Sequence, residues 1–525
     1  MLSKAEVVNA AGRKVPTEIA GMRFEPFSGA YGRIPAGRRY GPPMKARWGR
    51  EEKIVGGIEE AIKKVGLKDG MTISFHHQMR NGDHTLNRVV SIIAEMGYKD
   101  MTLAPTSMFP VHEKTLPLMR EGIISWINGG SVRGEIGKAV SRGELFGKPV
   151  IVRSHGGRTR AIEEGSLHVD VAFISVPVSD PYGNANGVYG KHPCGALGFP
   201  WIDSVYADKV VLVTDTIEDY PLSPISIPEY RVDYVAEVEE IGDPKGIEFG
   251  TTKITTDPQR LGIASTTVDV IEALGMIKDG LSFQAGAGGI SLAVVKFLHE
   301  RMVDRNVVGS FAVGGTTGYV VDMLEEGVIK KIMDAQAFDL RAVESLRENR
   351  DHVEISHYHF GSPFNMGAVV NKLDLCFLGA TEIDVNFNVN VNTYSNGYIM
   401  QPTGGHQDAA AGSRVTFVTC PLARKNIPVI RDKVTSITTP GETADIVVTE
   451  AGVAINPKRE DLIKALERSP LKEEIMLLTI EELKDLSYSA AGGEPQMPTT
   501  TEEVVALIEY RDGTIIDAVR RVVEE

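Results

Sequence analysis

The chain has 525 residues, 42% of them hydrophobic and 24% charged, a composition that excludes a disordered protein and a length that exceeds one ordinary hydrophobic core. A formal charge of −14 with a pI near 5.5 argues against a nucleic-acid binder, which needs a basic face to meet phosphate. Cys194, Cys376 and Cys420 stand far apart with no CxxC pair, no run reaches the ~18 apolar residues of a membrane span, and residues 1–6 lack an apolar signal core; the expectation is a cytoplasmic protein with reduced thiols.

Residues 1–55 are rich in Gly, Pro, Arg and Tyr, as in Tyr31-Gly32-Arg33-Ile34-Pro35-Ala36-Gly37-Arg38-Arg39-Tyr40. Such a stretch buries little and is expected to be an arm lying over another surface, its basic cluster either solvated or turned to an acidic partner. An amphipathic helix is expected over 51–65, then a turn at Lys68-Asp69-Gly70 into a strand over 71–75. A helix over 86–96, a strand over 101–103, a helix near 115–121 and a strand over 123–126 continue the alternation, which implies a parallel α/β sheet.

The alternation repeats in detail. Lys68-Asp69-Gly70 with Phe75 recurs as Lys278-Asp279-Gly280 with Phe283, and Glu121-Gly122-Ile123-Ile124 as Glu326-Gly327-Val328-Ile329. Asp170-Val171-Ala172-Phe173-Ile174 recurs as Asp374-Leu375-Cys376-Phe377-Leu378, and Asp180 with Asn184-Ala185-Asn186 as Asp384 with Asn388-Val389-Asn390. The separation runs only from 204 (Asp170 to Asp374) to 210 (Gly70 to Gly280), so two homologous α/β domains are expected, 56–240 and 241–486, facing each other across a ligand-binding cleft. Beyond them, residues 487–525 read as a small-residue linker and a β-hairpin turning at Asp512-Gly513.

The halves differ where chemistry would sit. After the strand ending at Phe283, Gly286-Ala287-Gly288-Gly289 enters an apolar helix, and backbone N–H groups there can cradle an anion or oxyanion, although a strand-to-helix turn also uses glycine for steric reasons. The first half has His76-His77-Gln78-Met79-Arg80-Asn81-Gly82-Asp83-His84 instead, a histidine set without the carboxylate spacing of a metal site. Glu382 follows the strand 375–378 at its C-terminal end, where open sheets bind ligands; it reads as nucleophile or base, or as a salt-bridged residue. Gly404-Gly405 precedes a small-residue helix and serves a ligand or close packing. Ser154-His155-Gly156-Gly157-Arg158 puts an imidazole and a guanidinium at a flexible turn, with Arg158 suited to a carboxylate or to an ion pair.

These residues carry a resemblance. The duplicated halves, Gly286 to Gly289, Glu382 and the Gly404-Gly405 to Asp408 turn resemble the CoA-transferase family. More narrowly, Ser74-Phe75-His76-His77, Ser154 to Arg158, Gly183-Asn184-Ala185-Asn186-Gly187 and Glu382-Ile383-Asp384 with Phe387-Asn388-Val389-Asn390-Val391 are similar to the citrate lyase α-subunit family, from about residue 50 to the Tyr510-Arg511-Asp512-Gly513 hairpin. The resemblance implies two CoA-transferase-type α/β domains with the active-site cleft between them. It implies a transferase that exchanges the acetyl group on an acyl carrier protein for citrate, giving acetate and a citryl thioester, with a β subunit that cleaves the thioester. No cofactor is bound covalently to this chain and no metal is implied; the CoA-derived prosthetic group belongs to the carrier, the γ subunit, and the chain is expected to be a homo-oligomer within a larger complex. Gly288 and Gly289 would hold the oxyanion, Gly286, Ala287, Gly404 and Gly405 the thioester, and His76, His77, Arg80, His155 and Arg158 the substrate. Glu382 would either carry the acyl group, as in most of the wider family, or tune a site in which citrate attacks directly; its departure from the usual Glu-Asn-Gly context favours the second. Citramalate or another carboxylate as acceptor, an acyl-CoA hydrolase, and a non-catalytic scaffold are the alternatives.

Overall fold

A computed structural model describes residues 5–34, 41–43, 51–250 and 252–523; the basic cluster at Arg38 and Arg39 lies outside the described residues. In the first half, β1 (Thr72–Phe75), β2 (Met101–Pro105), β3 (Ile124–Gly129), β4 (Val150–Val152), β5 (Val171–Ser175), β6 (Lys209–Thr214) and β7 (Tyr234–Glu237) are parallel, in the order β4-β3-β2-β1-β5-β6-β7. In the second half, β8 (Ser282–Ala285), β9 (Gly309–Thr316), β10 (Ile329–Ala337), β11 (His352–Glu354), β12 (Leu375–Gly379), β13 (Val415–Thr419) and β14 (Ile446–Val448) repeat it as β11-β10-β9-β8-β12-β13-β14. Runs such as Val171-Ala172-Phe173-Ile174 are apolar without alternation because helices cover both faces of a parallel sheet.

Register repeats as well. Ile73 lies opposite Val171, and Phe283 opposite Leu375. After β5, Asp180 accepts from the N–H groups of Gly183 and Asn184; after β12, Asp384 accepts from those of Asn386 and Asn388. Each aspartate also receives the side-chain amide of the asparagine four residues on, at 2.8 and 3.1 Å.

The ends of the chain depart from expectation. Residues 54–55 form a short strand beside β7, so the first helix spans only Ile58–Val65. Within the supposed arm, Ala5–Val8, Lys14–Ile19 and Met22–Arg23 form an antiparallel sheet. Its Val15 and Ile19 are buried against Val504, Leu507 and Ile515, apolar partners that composition averaged over 55 residues conceals. A helix, Ile480–Ala491, extends into the expected linker, starting at a Thr479/Glu482 capping box and ending at left-handed Gly492.

The hairpin, β15 (Thr500–Glu509) and β16 (Ile515–Val522), is part of the first sheet: Ala506, Leu507 and Ile508 pair in parallel with Val150, Ile151 and Val152. Buried Glu509 fastens it, accepting from Arg153 Nε at 2.8 Å and Arg160 Nη2 at 2.5 Å. Removing the carboxylate from two buried guanidinium groups should destabilise the fold by about 3–5 kcal/mol. Glu509→Ala should therefore lower the denaturation midpoint sharply; an unchanged midpoint would remove this network from the account of the fold.

Candidate active site

The two sheets present the C-terminal ends of their strands to a shared cleft of about 900 Å³. Its first-half side comes from the loops after β1, β2, β3 and β4: His77 and Arg80, Phe109, Arg133, and His155. The second half contributes Gly286 to Ser291 after β8, Phe338 after β10, His357 after β11, Ala380 and Thr381 after β12, and the Thr403-Gly404-Gly405-His406 turn. Open α/β sheets hold ligands at this edge because the connecting loops and helix N-termini converge there.

Glycines 286–289 lead from β8 into α2 (Gly289–Asp304), whose N-terminus opens on the cleft. They do different jobs. A Cβ on Gly286 would meet only Gln284 Nε2 at 3.7 Å, and one on Gly288 only the Ser291 side chain at 3.6 Å or more. A Cβ on Gly289 would come within 3.2 Å of Thr255 Cβ, so that glycine serves close packing. Gly404 is left-handed and its carbonyl accepts from His155 N–H at 2.9 Å, which fixes the glycine turn against the histidine.

The described lining carries Arg80, Arg133, Arg260 and Arg424 and no aspartate or glutamate. Arg260, at the rim, faces Asp257; Arg424 donates to the carbonyls of Ala380 and Thr381. Arg80 donates to the Phe249 carbonyl at 2.8 Å and packs over Phe338, and Arg133 donates to Ser107 Oγ at 3.1 Å and packs 4.1 Å over Phe109. Neither has a carboxylate partner among the described residues. Burial pulls both guanidinium groups down to about 10, and their mutual repulsion adds to the shift at Arg133. Two desolvated, uncompensated cations make a site that binds anions.

The imidazoles beside them are neutral. Burial lowers His77 and His357 well below the usual histidine range, reinforced by His155 and neighbouring arginines. Burial and then Arg158 bring His155 to about 3, and burial brings His406 to about 4. Phe199 sits among them, 4.2 Å from the His77 ring and 3.8 Å from the His357 ring between centroids.

Several sequence-predicted site residues lie elsewhere. Arg158 makes a bidentate pair with Asp203 and donates to Ser74 Oγ and the Ala104 carbonyl, while His76 Nε2 lies 3.1 Å from the same aspartate; this buried cluster ties α1 (His155–Glu164) to β1 and β2, behind the cleft. Ser154 to Arg158 is not a flexible turn but the capped first turn of α1, with Ser154 Oγ accepting from Gly157 N–H. Glu382 is fully buried behind the lining and receives five donors: Ser395 Oγ, Thr435 Oγ1 and Arg431 Nη1 on one oxygen, Asn390 Nδ2 and Thr435 N–H on the other. Of these partners Ser395 also lines the cleft. His77, Arg80, His155, Gly286 to Gly289, Gly404 and Gly405 do line it. Arg133 and His357 escaped sequence reasoning, although each stands within four residues of a strand's C-terminal end, the position that singled out Glu382.

Two duplicated parallel sheets, with a glycine-lined helix N-terminus facing arginines across their common edge, define a transferase of the CoA-transferase type. The chain belongs to the citrate lyase α-subunit family: the family model for the citrate lyase α subunit matches residues 51–522. It is 46% identical to the citrate lyase α chain of Haemophilus influenzae over 91% of this chain and 94% of that one, and 44% identical to that of Klebsiella pneumoniae over 90% and 92%. Among solved structures it is similar to the α subunit of citrate lyase from Streptococcus mutans, determined in complex with citrate, with a TM-score of 0.93 and 45% identity over 98% of this chain and all of that one. A Pseudomonas malonate decarboxylase hetero-tetramer, at 15% identity and a TM-score of 0.60 over 86% of this chain and 95% of that one, shares the fold alone. No helix among the described residues is long and apolar enough to cross a membrane.

The neutral histidines set a stability profile. Unfolded imidazoles titrate near about 6.5, so below that pH the unfolded chain takes up protons that His155 and His406 refuse in the folded protein. Stability present above about pH 6.5 is lost as pH falls, toward about 4 for His406 and about 3 for His155. Denaturation midpoints should drop over that window, with a shallower drop in His155→Asn; parallel curves would argue against a neutral buried imidazole at this position.

Proposed function

We propose that this chain is the transferase subunit of a citrate lyase, exchanging the acetyl group of an acetyl-acyl-carrier thioester for citrate. The observation that carries this reading is the uncompensated pair Arg80 and Arg133 facing a glycine-lined helix N-terminus in a cleft whose described lining has no carboxylate. Arginine's fork suits carboxylates, and the N–H groups of residues 286–289 suit the oxyanion formed when a thioester carbonyl is attacked. The citrate held by the Streptococcus mutans relative supports citrate as the acid recognised here.

The chemistry balances without an enzyme-bound acyl group. A citrate carboxylate oxygen attacks the acetyl thioester carbonyl, the C–S bond breaks, and the thiolate leaves an acetyl-citrate anhydride. The thiolate then attacks the citryl carbonyl of that anhydride and acetate departs. Glu382, fully buried and held by five donors, is placed to fix Ser395 and the adjoining lining rather than to attack. The thioester arrives on the CoA-derived arm of a carrier subunit, and a β subunit cleaves the citryl product.

Incubating the pure chain with acetyl-CoA as a surrogate donor, and separately with citrate, citramalate or butyrate, should yield citryl-CoA and acetate with citrate, leaving Glu382 unmodified by mass spectrometry. A butyryl product with no citryl product, or an acyl adduct on Glu382, would overturn the reading. Gly288→Val tests the cradle: a Cβ at this position meets only Ser291, at 3.6 Å or more, so the protein should fold, yet the added bulk at the helix entrance should lower turnover by about 10²–10³, the range for loss of an oxyanion donor. Full activity in a folded variant would move the oxyanion site elsewhere.

A further inference from the structure

The cleft joins two kinds of recognition group. Arg80 and Arg133 are charged and suit carboxylates; His77, beside them, is neutral and is held in one orientation. The backbone N–H of His77 donates to Thr106 Oγ1 at 3.1 Å, and the same oxygen lies 2.6 Å from His77 Nδ1. The hydroxyl has one hydrogen, and Nδ1 is its one acceptor among the described residues. That hydrogen therefore points at Nδ1, and the network assigns His77 the tautomer with its proton on Nε2.

The ring cannot easily turn away from this arrangement. It packs against Phe199 and Phe109, with centroids 4.2 and 5.6 Å away, and Gln336 from the second half donates to the His77 carbonyl at 2.9 Å. Nε2 has no protein partner among the described residues, and the ring is part of the cleft lining. His77 thus offers a fixed, uncharged N–H donor next to two cations. A hydroxyl beside carboxylates is the substrate group that calls for such a donor, because a charged partner there would be better used on a carboxylate.

We propose that His77, held in its Nε2–H tautomer by Thr106, donates to the tertiary hydroxyl of the substrate and thereby selects a hydroxylated tricarboxylate over its deoxy analogue, with Thr106 as the positioning residue. This rests on the functional reading above.

The test compares kcat/KM for citrate with that for propane-1,2,3-tricarboxylate, which keeps all three carboxylates and lacks the hydroxyl. Wild type should favour citrate by on the order of 10²-fold or more. His77→Phe should collapse that ratio by lowering the citrate value alone, Thr106→Val should lower the ratio about tenfold, and Thr106→Ser, which keeps the hydroxyl, should restore it. If His77→Phe does not fold, the Thr106→Val and Thr106→Ser pair decides. Equal losses toward both acids, or an unchanged ratio, would overturn the assignment while leaving the transferase function standing. A wild-type chain that transfers to neither acid, with acetyl-CoA or with carrier protein, would overturn both.

Discussion

One buried carboxylate holds the two walls of the cleft together. Asp408, in the second-half helix α3 (His406–Gly412), accepts from Ser154 Oγ and Gly156 N–H at the start of first-half α1, at 3.0 and 2.8 Å, and lies 3.3 Å from Arg511 Nε in the hairpin turn. It caps a helix across the boundary between the halves. The approach is so close that a Cβ at Gly156 would stand 2.1 Å from the Gly361 carbonyl and 2.6 Å from Asp408 itself. His155 and the Gly404-Gly405 turn take their places on the cleft from this junction, so the relative position of the two sheets and the shape of the site are one constraint.

Duplication let the halves divide the chemistry. Their sheets, registers and aspartate turns coincide, yet the segment after β1 supplies arginine and imidazole where the segment after β8 supplies bare backbone. In the first half, Val178 stands where the second half has Glu382, and the glutamate's partners Arg431, Asn390 and Thr435 all come from its own half. Glu382 is thus saturated by partners behind the lining, whereas Arg80 and Arg133 in the lining are left to be neutralised by what binds.

The fold was largely legible because it is repeated. The Asp…Asn turns are local motifs whose residues bond their near neighbours, and locality is what a sequence shows; the Asp-Gly turns are legible as repeated words, although Asp69 and Asp279 accept from the distant N–H groups of Lys99 and Val308. The site was legible only where it was also local, as in Gly286 to Gly289. His76 and Arg158 looked available because their shared partner, Asp203, is 129 residues from Ser74 in the same cluster and 45 from Arg158. Glu382 looked reactive because Arg431, 49 residues on, belongs to a strand with no motif of its own. Arg133 and His357 are missed because the expected third strand stops at 126, short of its true end at Gly129, and no strand is expected at His352–Glu354, so neither residue falls at an expected strand edge. The buried N-terminal sheet stayed hidden behind the Gly, Pro and Arg content of the residues that follow it.

The hairpin's place in the first sheet has a consequence for synthesis. β4 emerges early, but its neighbour β15 is translated only after the whole second half. Until then the nascent first half carries an open edge of Val150, Ile151 and Val152, and a guanidinium group, Arg153, whose carboxylate has not yet been made, while Arg160 has only Glu164 of its two carboxylates. Exposed edges of this kind invite pairing with other chains, and contacts this distant form slowly. The two halves cannot mature as independent beads on a string: the earlier one waits for the later, and a ribosome that stalls between them leaves a product with an unguarded strand and no way to close it.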